Sequence, residues 1–168
     1  MRHILFAFAL LAFSLPVFAQ ANWQLVGQGQ FNYLFWDVYQ ARLFSADGRF
    51  SDYQQTKPLK LELTYQRDIA VADFVDATLD QWKQQHGQLS ADKKRWGELL
   101  GAIWRDVKNG DRLACVYLAN GHTEFFLNDK PLGLIEDQAF GPVFLDIWLG
   151  VHTTAPKLRA RLLGQAKS

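Results

Sequence analysis

A single cysteine, a single methionine and only five prolines are spread over 168 residues. One thiol excludes an internal disulfide, so even in an oxidising compartment the fold must stand on its packed core. Cys115 lies in the apolar, strand-like run Leu113 to Ala119. No basic neighbour or helix start lowers its pKa there, so a buried, inert thiol fits better than a catalytic one. An excess of one charge sign is also missing: 18 Lys plus Arg face 17 Asp plus Glu, with no run of either longer than three. Nucleic acid and anionic membranes are therefore poor candidate partners. The sequence has no phosphate-binding glycine loop, no Gly-x-Ser-x-Gly and no paired-cysteine metal site. His86, His122 and His152 fall in or beside expected loops, far apart in sequence. They read as separate surface histidines rather than a metal site, and no cofactor is expected.

The first residues form a short basic region, Arg2 and His3, followed by the apolar run Ile4 to Leu15 with Ser14 as its one polar residue. Pro16 breaks the run, and small residues follow at Ala19 and Ala21. This is the pattern of a secretory signal peptide over residues 1–19, with cleavage after Ala19 or Ala21. The run is short for a bilayer span, so no stable membrane anchor is expected after cleavage. The expected location is the periplasm. Removing the leader takes away Arg2 and no acid, which leaves a formally neutral chain. Residues 22–168 have the length of one ordinary domain.

Trp23 to Phe31 alternates and reads as a first strand, bare at Gly27 and Gly29. Such a backbone either bends or lets another element approach, and bending is the commoner reason. Leu34 to Phe44 reads as a second strand with large apolar residues on both parities, which implies that both faces are covered. Asp37 and Arg42 must then reach water or a partner. Leu59, Leu61, Leu63 and Tyr65 alternate with polar residues, a third strand that is wet on one face.

Two amphipathic helices follow. The first carries the stripe Val71, Phe74, Val75, Thr78, Leu79 and Trp82, and Gly87 stops it. The second, capped by Ser90 or Asp92, carries Trp96, Leu99, Leu100, Ile103, Trp104 and Val107 as far as Asn109-Gly110. Arg112 to Ala119 is a fourth strand, and Asn120-Gly121 signals a hairpin into Thr123 to Leu127. Asn128-Asp129-Lys130 supplies turn chemistry before a return strand, Pro131 to Ile135. Phe140, Val143, Phe144, Ile147, Trp148 and Val151 then recur at helical spacing, with Glu136 and Asp137 at the helix start. A last short helix begins at Pro156 behind Thr153 or Thr154, and Gly164 ends it. Strands joined by short turns imply an α+β fold: a large antiparallel sheet with a layer of helices gathered on one face.

Among polar side chains, Tyr39 and Arg42 share the second strand but lie on opposite parities, so only a bulge or an edge brings them to one cavity. Tyr65 and Arg67 share a parity. Together they suit a carboxylate or phenolate, Arg by a forked hydrogen bond and Tyr by its hydroxyl. A purely structural pair tying the strand end to the next helix explains them slightly better.

Gly27-x-Gly29, Val38-Tyr39, Tyr65-x-Arg67, the Trp82 helix, Gly110-Asp111, Phe126-x-Asn128, Ile147-Trp148-Leu149-Gly150 and Leu162-Leu163-Gly164 together resemble the chalcone isomerase-like family, more narrowly its secreted bacterial branch. The resemblance implies an open-faced β-sandwich with a ligand cleft between sheet and helices. Tyr39, Arg42, Tyr65, Arg67 and Trp148 are then the expected ligand-binding residues. Plant members cyclise chalcones with an Arg, a Thr, a Tyr and an Asn. An ungapped placement puts Gln30, Leu34, Ala70 and Ala77 at those positions, so the cyclase activity does not carry over. Other members bind fatty acids, and some bind haem. The expected function is non-catalytic binding of an apolar or amphipathic small molecule such as a fatty acid, with haem the less favoured ligand. An isomerase or lyase using Tyr65 and Arg67, and a periplasmic assembly factor presenting the open sheet face, are the alternatives.

Overall fold

The computed structural model describes residues 22–165; the leader and both candidate cleavage points lie outside the described residues. Six strands form one sheet: β1 (Gln24–Tyr33), β2 (Trp36–Ser45), β3 (Leu59–Tyr65), β4 (Arg112–Tyr117), β5 (Thr123–Leu127) and β6 (Lys130–Ile135). Their spatial order follows the chain order, and every neighbouring pair is antiparallel. Alternation sorts the side chains. Ala41 and Leu43, Leu61 and Leu63, Leu113 and Cys115, and Phe125 are buried on one face. Burial pushes the Cys115 thiol pKa up, as expected of an inert core cysteine.

Four helices cover that face: α1 (Val71–His86), α2 (Ala91–Ile103), α3 (Phe140–Leu149) and α4 (Pro156–Leu162). Gly87 ends α1 at φ 82°, and the Ser90 side chain accepts the Lys93 amide to cap α2. Between β5 and β6 only Asn128 and Asp129 turn the chain, at φ 50° and 67°, a left-handed pair that these two residue types tolerate. Aromatic rings fill the space between the layers. Trp104 packs edge-on against Phe74 and Phe125. Phe125 meets Phe140 and Phe144, and Phe140 meets Trp82 and Trp96.

Three expectations change. β2 begins at Trp36, because Leu34 and Phe35 form the two-residue turn of the β1–β2 hairpin. Leu34 has φ 56°, a conformation that costs a branched L-residue roughly 1–2 kcal/mol. The apolar parity that suggested a doubly covered strand belongs partly to this turn. The face opposite the helices is open: Gln40 is exposed, and Arg42 pairs with Glu62 and lies over the Phe44 ring. Second, α2 stops at Ile103. Trp104 turns into the core, and Val107 leaves the helix to pair its backbone with Ile69. Third, the bare stretch of β1 does more than bend. A register shift lies between Leu25 and Gly27, and the α4 backbone presses on Gly27 directly.

At one end of the sheet, Asp68 accepts from the Asn109 amide and the Lys108 ammonium at 3.0 Å each. Asp111 accepts from Asn128 and from the Lys108 amide at 2.8 and 2.7 Å. These bonds hold both carboxyls below the usual carboxylate range. A depressed pKa gives stability that is fully present above the unfolded-state value and is lost as pH falls through the folded value. The thermal midpoint should therefore drop on acidification through and below the carboxylate range. The Asp68→Asn/Asp111→Asn variant should start lower and fall less steeply. An identical pH profile in the variant would refute the assignment.

Candidate functional site

A cavity of about 200 Å³ lies between the sheet and the helices. Its floor is Phe31 of β1, Tyr39 of β2, Leu63 and Tyr65 of β3 and Leu113 of β4. Its roof is Phe74, Ala77 and Thr78 of α1 with Phe144, Ile147 and Trp148 of α3. The alternating period of β3 aims Leu63 and Tyr65 inward, and the three- and four-residue spacing of α1 brings Phe74 and Thr78 over them. Phe31 stacks on Tyr39 at 4.9 Å, Tyr39 meets Tyr65 edge-on at 5.6 Å, and Tyr65 meets Phe74 at 5.1 Å.

Few polar groups face this space, and they are mostly donors. The Trp148 indole N–H donates to the Tyr39 hydroxyl at 2.9 Å, which leaves the Tyr39 proton free to donate in turn. Burial holds the Tyr39 pKa far above its ordinary value, with a smaller lowering from the Trp148 bond. Burial, and secondarily the Tyr39 neighbour, do the same for Tyr65. Both phenols stay protonated at any physiological pH. Trp104, also on the wall, has a buried indole N–H with no acceptor among the described residues. Thr78 is already spent, donating to the Phe74 carbonyl at 2.9 Å. At the rim Thr154 donates to Gln81 at 2.7 Å, linking α1 to the segment before α4. Among the described residues, the one charged side chain lining the cavity is Asp73, exposed in the first turn of α1.

Of the five residues singled out from the sequence, Tyr39, Tyr65 and Trp148 line this cavity together. Arg42 and Arg67 do not. Arg42 sits on the open face with Glu62, as its parity opposite Tyr39 requires without an intervening bulge. Arg67 lies beyond the end of β3, where the strand alternation no longer applies, and its guanidinium rests 5.8 Å from the Trp36 ring centre. The Tyr65–Arg67 pair behind the isomerase alternative is therefore not assembled. Of the positions placed against the plant catalytic set, Ala77 lies on the cavity wall and Leu34 lies at the hairpin turn. Sequence reasoning missed Thr78, Ile147, Phe144 and Trp104 as wall residues. All four were read as helix stripe, and the spacing of a stripe does not show where the opposing layer leaves a gap.

A second cleft of about 280 Å³ is lined by His86 and His152 along with Asp146 and Tyr53. Both histidines border this cleft although they are far apart in sequence, and His122 does not. Tyr53 donates to the Asp146 carboxylate at 2.6 Å. Among the described residues, no group of three or more His, Cys, Asp or Glu side chains is arranged to hold a metal.

The family model described as chalcone isomerase-like matches residues 14–164. An uncharacterized protein of Haemophilus influenzae is 30% identical over 164 residues, covering 98% of this chain and 78% of that protein. The crystal structure of a fatty-acid binding protein from Arabidopsis thaliana superposes with a TM-score of 0.63 at 11% identity, over 84% of this chain and 86% of the other. At that identity the likeness speaks for the fold.

Proposed function

We propose that this chain, which belongs to the chalcone isomerase-like family, binds an apolar or weakly amphipathic small molecule between its sheet and helices. The carrying observation is the wall chemistry: aromatic and aliphatic side chains, two protonated phenols with hydrogen-bonding capacity to spare, and, among the described residues, no cation. An apolar cavity with a few placed polar groups is the usual form of a small-molecule site. At roughly 30 Å³ per water-sized group, 200 Å³ holds about seven such groups. That suits a medium-length alkyl chain or the end of a longer one. With donors inside and Asp73 at the rim, the favoured head is an uncharged acceptor. A fatty acid would enter in its protonated form, since a buried carboxylate here would lack a counter-ion. Among the described residues the wall carries no cation, and its one carboxylate, Asp73, sits at the exposed rim, so the binding reading is preferred to an isomerase. The basic and apolar segment before Ala19 supports an exported, periplasmic member of the secreted bacterial branch.

Fluorescence titration and native mass spectrometry with decanol and decanoic acid test this. Decanol should bind independently of pH, and decanoic acid should bind more tightly as pH falls through its own pKa. Tyr39→Phe should weaken decanol about two- to tenfold, the worth of one hydrogen bond. Ala77→Phe, which adds a ring at the exposed edge of the cavity, should weaken both several-fold. No uptake of either probe at saturating concentration would overturn the proposal.

A further inference from the structure

The β1–β2 hairpin ends in four large apolar residues exposed to solvent: Tyr33 at 63%, Leu34 at 76%, Phe35 at 97% and Trp36 at 64%. Isolated exposed hydrophobes are ordinary, but four in succession at one protruding tip are not. The turn itself adds an independent observation. Leu34 stands at φ 56°, where glycine or asparagine would be at ease, so the sequence keeps an apolar side chain at the apex against the backbone's preference.

We infer that this tip inserts into the interfacial region of a lipid bilayer with a zwitterionic surface. The residues are graded by depth. Leu34 and Phe35 form the apex, and the amphipathic rings Tyr33 and Trp36 come next, where headgroups lie. Behind them are Asn32 hydrogen-bonded to Asp37, and the Arg67 guanidinium over Trp36. Arg67 is exposed and joins no ion pair among the described residues, so it is free to meet a lipid phosphate while Asp37 faces the cationic part of the headgroup. A protein groove would accept the apolar apex equally well, but it would not call for flanking groups of both signs at headgroup depth. Four residues at a hairpin tip are too few to span a bilayer, so this contact is peripheral and reversible. Phe31 and Tyr39, on the same hairpin, belong to the cavity wall, so docking would bring that wall toward the lipid. The inference goes beyond ligand binding and does not depend on it.

The test is flotation of the processed protein with phosphatidylcholine vesicles, with and without brominated acyl chains. Wild type should float, at low and high salt alike, and bromine should quench its tryptophan emission. Trp36→Phe should still float but lose most of that quenching. Leu34→Asn/Phe35→Ser, whose asparagine fits the left-handed turn and should leave the fold intact by circular dichroism, should partition about 100-fold more weakly. Arg67→Gln should weaken binding several-fold. Failure of wild type to float, binding only to anionic vesicles that salt abolishes, or undiminished binding by the double variant would each overturn the inference. So would capture of a protein partner through the tip in the absence of any vesicle binding.

Discussion

Phe125→Ala should destabilise the fold by about 3–5 kcal/mol, the usual cost of removing a fully enclosed aromatic side chain. Phe125 has no exposed surface and stands at the crossing of the aromatic core, 5.5 Å from Trp104, 5.4 Å from Phe144 and 6.1 Å from Phe140. These three rings come from two places above the sheet, Phe140 and Phe144 from α3 and Trp104 from the end of α2. None of them can collapse into the void without abandoning its own edge-to-face contacts. Domains of this size commonly hold only about 5–15 kcal/mol of net stability. The thermal midpoint should fall by about 10–20 °C, readable by calorimetry. Phe125→Leu should recover about half of the loss by refilling volume without restoring ring geometry. A midpoint within a few degrees of wild type for the alanine variant would mean that the core is looser than these contacts imply.

Gly27→Ala should cost about 3 kcal/mol, the upper end for overpacking, although it adds one methyl group. A Cβ there would lie 2.5 Å from the Leu162 carbonyl oxygen, 2.8 Å from its carbon and closer still to the Arg161 carbonyl oxygen. These are helix backbone atoms, and they cannot swing aside as a side chain does. The strand must give way or α4 must lift. Gly29→Ala provides the control. Its Cβ would meet the Leu158 and Arg161 side chains at 2.8 and 3.0 Å, and Arg161 in particular can turn out to solvent. The expected cost there is about 1 kcal/mol. Chemical denaturation of the two variants distinguishes direct helix-on-strand contact from a simple bend in β1, for which both substitutions would be mild.

How much of this was legible in the chain depended on whether the information was local. Gly87, Ser90 and Asn128-Asp129 act through their own backbone preferences, and helix end, helix cap and hairpin fell where those residues stand. The alternation from Leu59 to Tyr65 likewise fixed which side chains face the helices. Leu34-Phe35 ran the other way. Nothing in a leucine announces a left-handed turn, so the residues read as the start of a strand. Arg67 misled for a related reason: parity beyond Tyr65 has no meaning once the strand has ended. The cavity was legible as three of its wall residues, Tyr39, Tyr65 and Trp148, but not as a volume. The distance between two packed layers is a property of the pair and is written in neither alone.

The sheet joins neighbours in chain order at every step, yet one of those steps differs from the rest. β3 and β4 lie side by side with both α1 and α2 inserted between them in sequence. Within each three-stranded half the connections are short to moderate: two residues between β1 and β2, thirteen between β2 and β3, five between β4 and β5 and two between β5 and β6. Joining the halves requires closing the whole helical excursion at once, and that entropy must be met before the ladder from Leu59–Tyr117 to Thr64–Arg112 yields anything in return. Of the five pairings in the sheet, β3 with β4 therefore carries the largest loop-closure entropy.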